Sequence, residues 1–146
     1  MARSEDPLVV TLFGEMLAAD QLLRNQLSRV LPKGMELSHF SVLNHLAQIG
    51  DERSPAELAQ RFNLSRGAMT NTLGRLEWAG HIHIRPDWED ARRKFVSISP
   101  AGRSACEAAI ASMQPVLSRA AADLSDDRLR SAIGVLREMR GRITPS

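Results

Sequence analysis

Ile82 and Ile84 alternate with His81, His83 and Arg85, in a chain whose other apolar residues recur every three or four positions. This switch from a helical to a strand period follows directly on two closely spaced helix starts, and few folds accommodate it. Ser54-Pro55-Ala56-Glu57 is a capping box, with Ser at the cap, Pro at the first helical position and Glu at the third. The helix it opens is short, ending near Phe62. Asn63-Leu64-Ser65 is a turn, and Ser65 caps a helix that runs to about Ala79 and stops at Gly80. Beyond the alternating segment, Pro86 to Ala91 is polar and turn-rich. Phe95, Val96 and Ile98, with Lys94 and Ser97, make a second strand, so the two strands read as a hairpin around a charged tip.

Helices flank this block on both sides. Asp6-Pro7 starts one whose stripe contains Val9, Leu12, Phe13, Met16, Leu23, Leu27 and Val30. Leu8, Leu17, Leu22 and Leu31 widen that stripe beyond what a surface helix needs, so it calls for a partner. Pro32-Lys33-Gly34 ends it. Ser38 is expected to cap a second helix carrying Phe40, Val42, Leu43, Leu46 and Ile49, closed by Gly50. Ser99-Pro100 opens a helix through Cys106, Ile110, Met113, Leu117 and Ala121, which Pro115 is expected to kink. Ser125, Asp126 and Asp127 open the last, with Leu129, Ala132, Ile133, Leu136, Met139 and Ile143 as its stripe. The fold class is mainly α, a winged helix-turn-helix with a two-stranded wing between N- and C-terminal helices.

The 146 residues, 43% hydrophobic and 25% charged, suit one soluble domain, or one domain with helical extensions. No apolar run approaches the roughly 18 residues of a membrane span. Met1 to Pro7 lacks the features of a signal peptide, so a cytoplasmic location is expected. Cys106, the sole cysteine, reads as a packed thiol on a helix face. The net charge is only +2, so global charge does not point to nucleic acid; 17 Arg against 2 Lys suit phosphate and guanine, but biased codon use is the plainer account.

The local chemistry is more specific. Ala59 suits the crossing point of a helix-turn-helix, and Asn63 tolerates positive φ in the turn. With Leu58, Phe62, Leu64, Met69, Leu73 and Leu76 facing inward, the opposite face presents Arg66, Gly67, Thr70, Asn71 and Arg75. Asn reads adenine, Arg reads guanine, and Thr meets a thymine methyl or a phosphate. Small Gly67 and Ala68 permit close approach to a groove wall, and the Ser65 cap marks a helix end suited to phosphate. At the hairpin tip, Arg92, Arg93 and Lys94 suit phosphates or a narrow minor groove, with Asp90 pairing to a nearby Arg.

Together these residues resemble the MarR (multiple antibiotic resistance regulator) family. Asp90-Ala91-Arg92-Arg93-Lys94-Phe95-Val96 matches its Asp-x-Arg-x-x-x-Val wing signature, and Ser99-Pro100-Ala101-Gly102 its Thr/Ser-x-x-Gly helix start. Thr70-Asn71 and Arg75-Leu76 are similar to its recognition helix, and Ala79-Gly80, Ile82 and Arg85 to its exit. The resemblance implies a homodimeric regulator of transcription, a repressor on pseudo-palindromic double-stranded DNA. Residues 1–35 and 100–146 would form the helical dimerisation region and 36–99 the DNA-binding lobe. Ser65, Arg66, Thr70, Asn71 and Arg75 would form the recognition surface, with Arg92 as the wing arginine and Asp90 as its organiser. Trp88, where a small residue or Pro is more usual, and Ala91, where a cation is common, depart from the family pattern.

Many relatives bind a small aromatic or anionic effector between the dimer region and the DNA-binding lobe. Met16, Asp20, His39 and Phe40 are the candidates for such a crevice, against ordinary packing as the plainer account. His39, His45, His81 and His83 lack metal-ligand spacing, and no metal or cofactor is expected. No phosphate loop or nucleophile elbow suggests catalysis, so no catalytic residue is expected. The remaining alternatives are a winged helix that binds protein, and a small enzyme.

Overall fold

Polar capping residues and glycines divide the chain into six helices and one hairpin among the residues described, 6–144 of a computed structural model. The helices are α1 (Pro7–Val30), α2 (Leu37–Ile49), α3 (Pro55–Arg61), α4 (Arg66–Trp78), α5 (Pro100–Ala120) and α6 (Asp126–Ile143). The strands β1 (Ile82–Pro86) and β2 (Lys94–Ile98) lie between α4 and α5. No helix among the described residues is long and apolar enough to cross a membrane. The chain divides into two compact units, one up to Gln114 and one from Pro115.

In the first unit, Asp6 caps α1 by accepting a hydrogen bond from the Leu8 amide at 2.9 Å. Leu27 is the only buried side chain of α1, while Leu8, Val10, Leu17 and Leu22 are largely exposed. A single chain thus leaves the wide apolar stripe uncovered. The core lies instead between α2, α3, α4, the hairpin and the start of α5. Val42, Leu43, Leu46, Leu58, Met69, Leu73, Leu76, Ile82, Val96 and Cys106 form one buried cluster.

The hairpin is antiparallel, with Ile82 opposite Ile98 and Ile84 opposite Val96. Its base is held from outside: Arg53 and Val96 exchange two backbone hydrogen bonds, at 3.0 and 2.8 Å. Ser99 fixes the exit into α5. Its hydroxyl donates to the Gly80 carbonyl at 2.6 Å and accepts from the Gly102 amide at 2.9 Å. Its own amide donates to the His81 carbonyl at 2.9 Å. Gly102 sits against that carbonyl so closely that a Cβ would collide with the backbone. The spacing Ser-x-x-Gly therefore has a steric cause: the serine caps α5 and the glycine lets it abut the hairpin.

In the second unit, α5 continues through Pro115 as one helix. Asp123 turns the chain with a positive φ of 64°, and Ser125 caps α6 by accepting from the Arg128 amide. Asp126 and Asp127 sit in its first turn and Arg140 and Arg142 in its last, as the helix dipole favours. No α6 side chain is buried, and Ile133, Leu136 and Ile143 are exposed.

Two local expectations are corrected. Ser38 does not cap α2. The Met35 amide closes a turn onto the Pro32 carbonyl, leaving Glu36 extended at the cap position with no side-chain capping bond. Leu64 does not join the shared core and stays 38% exposed. The turn is held by its backbone, with the Leu64 amide donating to the Ala59 carbonyl at 2.9 Å. Lys94 opens β2, opposite Pro86, as its place in the strand pattern predicts.

Candidate nucleic-acid interface

The site is built from α3, α4 and the wing. At the start of α3, Ser54 accepts from the Glu57 amide and donates to its carboxylate, both at 3.1 Å. Asn63, at φ 51°, reverses the chain. The Ser65 hydroxyl then accepts from the Ala68 amide at 3.1 Å and opens α4. Met69, Leu73 and Leu76, at helical spacing, are buried against the core. Their burial fixes the other face: Ser65, Arg66, Gly67, Ala68, Thr70, Asn71 and Arg75 are all exposed. Gly74 shares that face, a position sequence reasoning passed over because no side chain marks it.

The wing tip is a hydrogen-bonded turn. The Asp87 amide donates to the Arg93 carbonyl, and the Arg93 amide to the Asp90 carbonyl, each at 3.0 Å. The Asp90 carboxylate accepts from the Arg92 amide at 3.0 Å and from its guanidinium at 3.2 Å. These bonds hold the Asp90 carboxyl below its ordinary range. Asp90 is thereby neutralised locally, while Arg92 stays 91% exposed. Arg93 lies 5.9 Å from the Phe95 ring centre. Arg66, Arg75, Arg93 and Lys94 have no carboxylate at ion-pair distance among the described residues.

Helix and wing meet at a recess of about 370 Å³ lined by Ser54, Pro55, Ala56, Arg66, Thr70, Arg92, Arg93 and Lys94. Four cations and two hydroxyl side chains thus converge from three separated stretches of sequence. The start of α3 is the contribution that sequence reasoning missed, because Ser54 was assigned only as a cap. On the other side of α4, a groove of about 750 Å³ is lined by Gly67, Thr70, Asn71, Gly74 and Arg75, with Met35 and His39. Thr70 borders both spaces.

Of the four crevice candidates, only His39 lines that groove. Phe40 packs against the core, Met16 is half-buried on α1, and Asp20 is exposed and paired with Arg24 at 2.9 Å. Among the described residues, no three His, Cys, Asp or Glu side chains cluster as metal ligands. Cys106 is buried, and burial pushes its thiol pKa up. Its thiol donates to the Asn44 side-chain oxygen at 3.6 Å.

Residues 33–93 match the family model described as MarR family. The multiple antibiotic resistance protein MarR of Salmonella typhimurium is 34% identical over 60% of this chain and 58% of its own length. The chain spans between 52% and 66% of the length of these curated relatives. Among solved structures, it is similar to the transcriptional regulator BldR from Sulfolobus solfataricus, with a TM-score of 0.82 and 21% identity. That match covers 96% of this chain and 99% of BldR. A mutant MarR from E. coli complexed with operator DNA aligns with a TM-score of 0.73 and 22% identity, over 90% of this chain and 94% of that one. At these identities the structures establish the fold, a winged helix of mainly helical composition, and the lobe of residues 33–93 is similar to the MarR family.

Proposed function

We propose that this chain is a transcriptional repressor that binds double-stranded DNA as a homodimer. The observation that carries the reading is the recess where Arg66 and Thr70 of α4 face Arg92, Arg93 and Lys94 of the wing. Exposed cations beside hydroxyl groups suit a phosphodiester backbone, which then registers α4 in the major groove. Thr70, Asn71 and Arg75 supply base-reading chemistry on the same face, and Gly67 and Gly74 leave room for close approach. The operator DNA named with the similar E. coli structure agrees with this use of the fold.

The dimer follows from the uncovered stripe on α1. Leu8 and Leu17 are 77% and 72% exposed, more than an isolated soluble helix tolerates without a partner. Residues 1–35 and 100–146 are assigned to dimerisation and 36–99 to DNA binding in the cytoplasm. Two-fold symmetry then places the recognition helices roughly 34 Å apart, one turn of B-DNA. A small aromatic or anionic effector that changes this spacing would relieve repression, and His39 offers one contact beside α4. Catalysis has no place in this scheme.

The test is hydroxyl-radical footprinting on a duplex from upstream of the chain's own gene, with light scattering on the same sample. Two protected segments about one helical turn apart, with a dimer mass, support the reading. A monomer, or no protected segment, refutes it.

A further inference from the structure

We infer that α1 forms an antiparallel seam with α1 of a second copy of this chain, centred on Leu22, in which each Glu15 pairs with Arg29 of the partner subunit. This rests on the homodimer reading above and adds the direction, register and charges of one contact. Leu8, Glu15, Leu22 and Arg29 recur every seven residues along α1, and Leu12 and Ala19 fall between them. That alternation of four and three is the spacing of a coiled-coil seam. All six residues are exposed although four of them are apolar, and Leu22 is 62% exposed. The inward face of α1 is a different one, on which Leu27 is buried and Val9, Met16 and Leu23 are half-buried. The fold of a single subunit therefore makes no use of the seam.

The charges in the row say what covers it. Asp20 and Arg24, off the row, hold each other at 2.9 Å, whereas neither Glu15 nor Arg29 has an ion-pair partner among the described residues. One acid and one base thus stand seven residues on either side of Leu22. Such a strip is complementary to itself. A closed two-fold contact needs that property, because residue i must meet residue j while j meets i. With Leu22 on Leu22 of the partner subunit and the helices antiparallel, each Glu15 meets the opposite Arg29, twice per dimer. Parallel helices in register would set Glu15 on Glu15 and Arg29 on Arg29, so charge selects the direction as well as the partner. Ala19, three residues from the centre, keeps the contact narrow enough for the helices to approach.

The test uses Glu15→Arg and Arg29→Glu, each alone, the two mixed, and both in one chain, with dimer dissociation followed by sedimentation equilibrium and native mass spectrometry. Both positions are exposed, so neither substitution touches the core. Each variant alone should raise the dimer dissociation constant about tenfold or more, because like charges then face each other twice. Mixing the two variants should restore native strength: in the mixed dimer one contact is the native pair and the other is the same pair with its charges exchanged. The masses of the two chains differ, so the mixed dimer is identified directly. The chain that carries both substitutions should also dimerise as the native chain does. Recovery on mixing separates a lost contact from a folding defect, which mixing does not repair. Single variants that dimerise as well as the native chain would overturn the seam while leaving the homodimer intact. So would weakened variants that stay weak when mixed. A native chain that is a monomer would remove the homodimer reading, and this inference with it.

Discussion

Arg85 and Glu52, 33 positions apart in sequence, form a two-point ion pair in which the Arg85 guanidinium donates to both carboxylate oxygens, at 2.6 and 2.8 Å. The same guanidinium lies 4.8 Å from the Phe95 ring centre. One end of β1 is thereby tied to the segment before α3, next to the Arg53–Val96 backbone pair. The wing is thus held at its base against the helix-turn-helix, which fixes where its cations stand relative to Arg66.

The pair makes wing order dependent on pH. The hydrogen bond from Arg85 holds the Glu52 carboxyl below its ordinary value of 4.5. A lowered carboxyl stabilises the fold at pH above that ordinary value, and the contribution is lost as pH falls through the lowered one. Asp90, lowered by Arg92, behaves alike. Hydrogen exchange should therefore show the wing amides loosening on acidification below about pH 4, before the core unfolds. Glu52→Gln should show the same loosening at neutral pH with a nearly unchanged unfolding midpoint. Wing exchange identical to native in Glu52→Gln would remove the pair from the account.

The junction of hairpin and α5 should be the most fragile point outside the core. Gly102→Ala forces a methyl against the His81 carbonyl and the Ile98 side chain, and should cost about 1–3 kcal/mol or more. Ser99→Ala removes the α5 cap and the bond to the Gly80 carbonyl, and should cost about 1–2 kcal/mol. Urea denaturation measures both. A Gly102→Ala chain as stable as native would mean that α5 does not abut the hairpin.

Cys106 should be chemically quiet. Burial disfavours its thiolate, so at pH 8 a thiol reagent should react far more slowly with the folded chain than with the chain in denaturant. Because the pKa is raised from 9.0, stability should decline as pH rises above that value towards the folded one. Rapid labelling in the native state would show that α5 opens readily.

Arg92→Ala should weaken DNA binding by about 1–3 kcal/mol without changing the dimer mass. The variant also leaves the Asp90 carboxylate without its guanidinium partner, which adds repulsion towards phosphate. The double variant Asp90→Ala/Arg92→Ala should therefore bind better than Arg92→Ala alone. A fluorescence-anisotropy titration compares them, and equal affinities would assign Asp90 no such role.

Most of the local structure that frames the candidate interface was legible in the sequence because it rests on local rules. The Ser54 box, Asn63 in the turn, the Ser65 cap and Gly80 at positive φ each act within four residues. What escaped was set by distance or by backbone alone. The Glu52–Arg85 pair joins residues that no spacing rule relates. The α3 start became a wall of the recess only through the hairpin's return, and Gly74 lines the groove on α4 with no side chain to mark it. Leu64 shows the converse, an apolar residue in the right register whose turn is held by Asn63 and an amide bond, so burial is not required.

The central claim is that exposed cations on α4 and the wing neutralise DNA phosphates. The direct measurement is the salt dependence of binding to the chain's own upstream duplex, for the native chain and for Arg66→Ala/Arg75→Ala/Arg92→Ala. The account predicts that native affinity falls about a hundredfold or more between about 50 and 200 mM salt, with a clearly shallower slope for the variant. Native binding that is indifferent to salt, or a slope that the three substitutions leave unchanged, would contradict it.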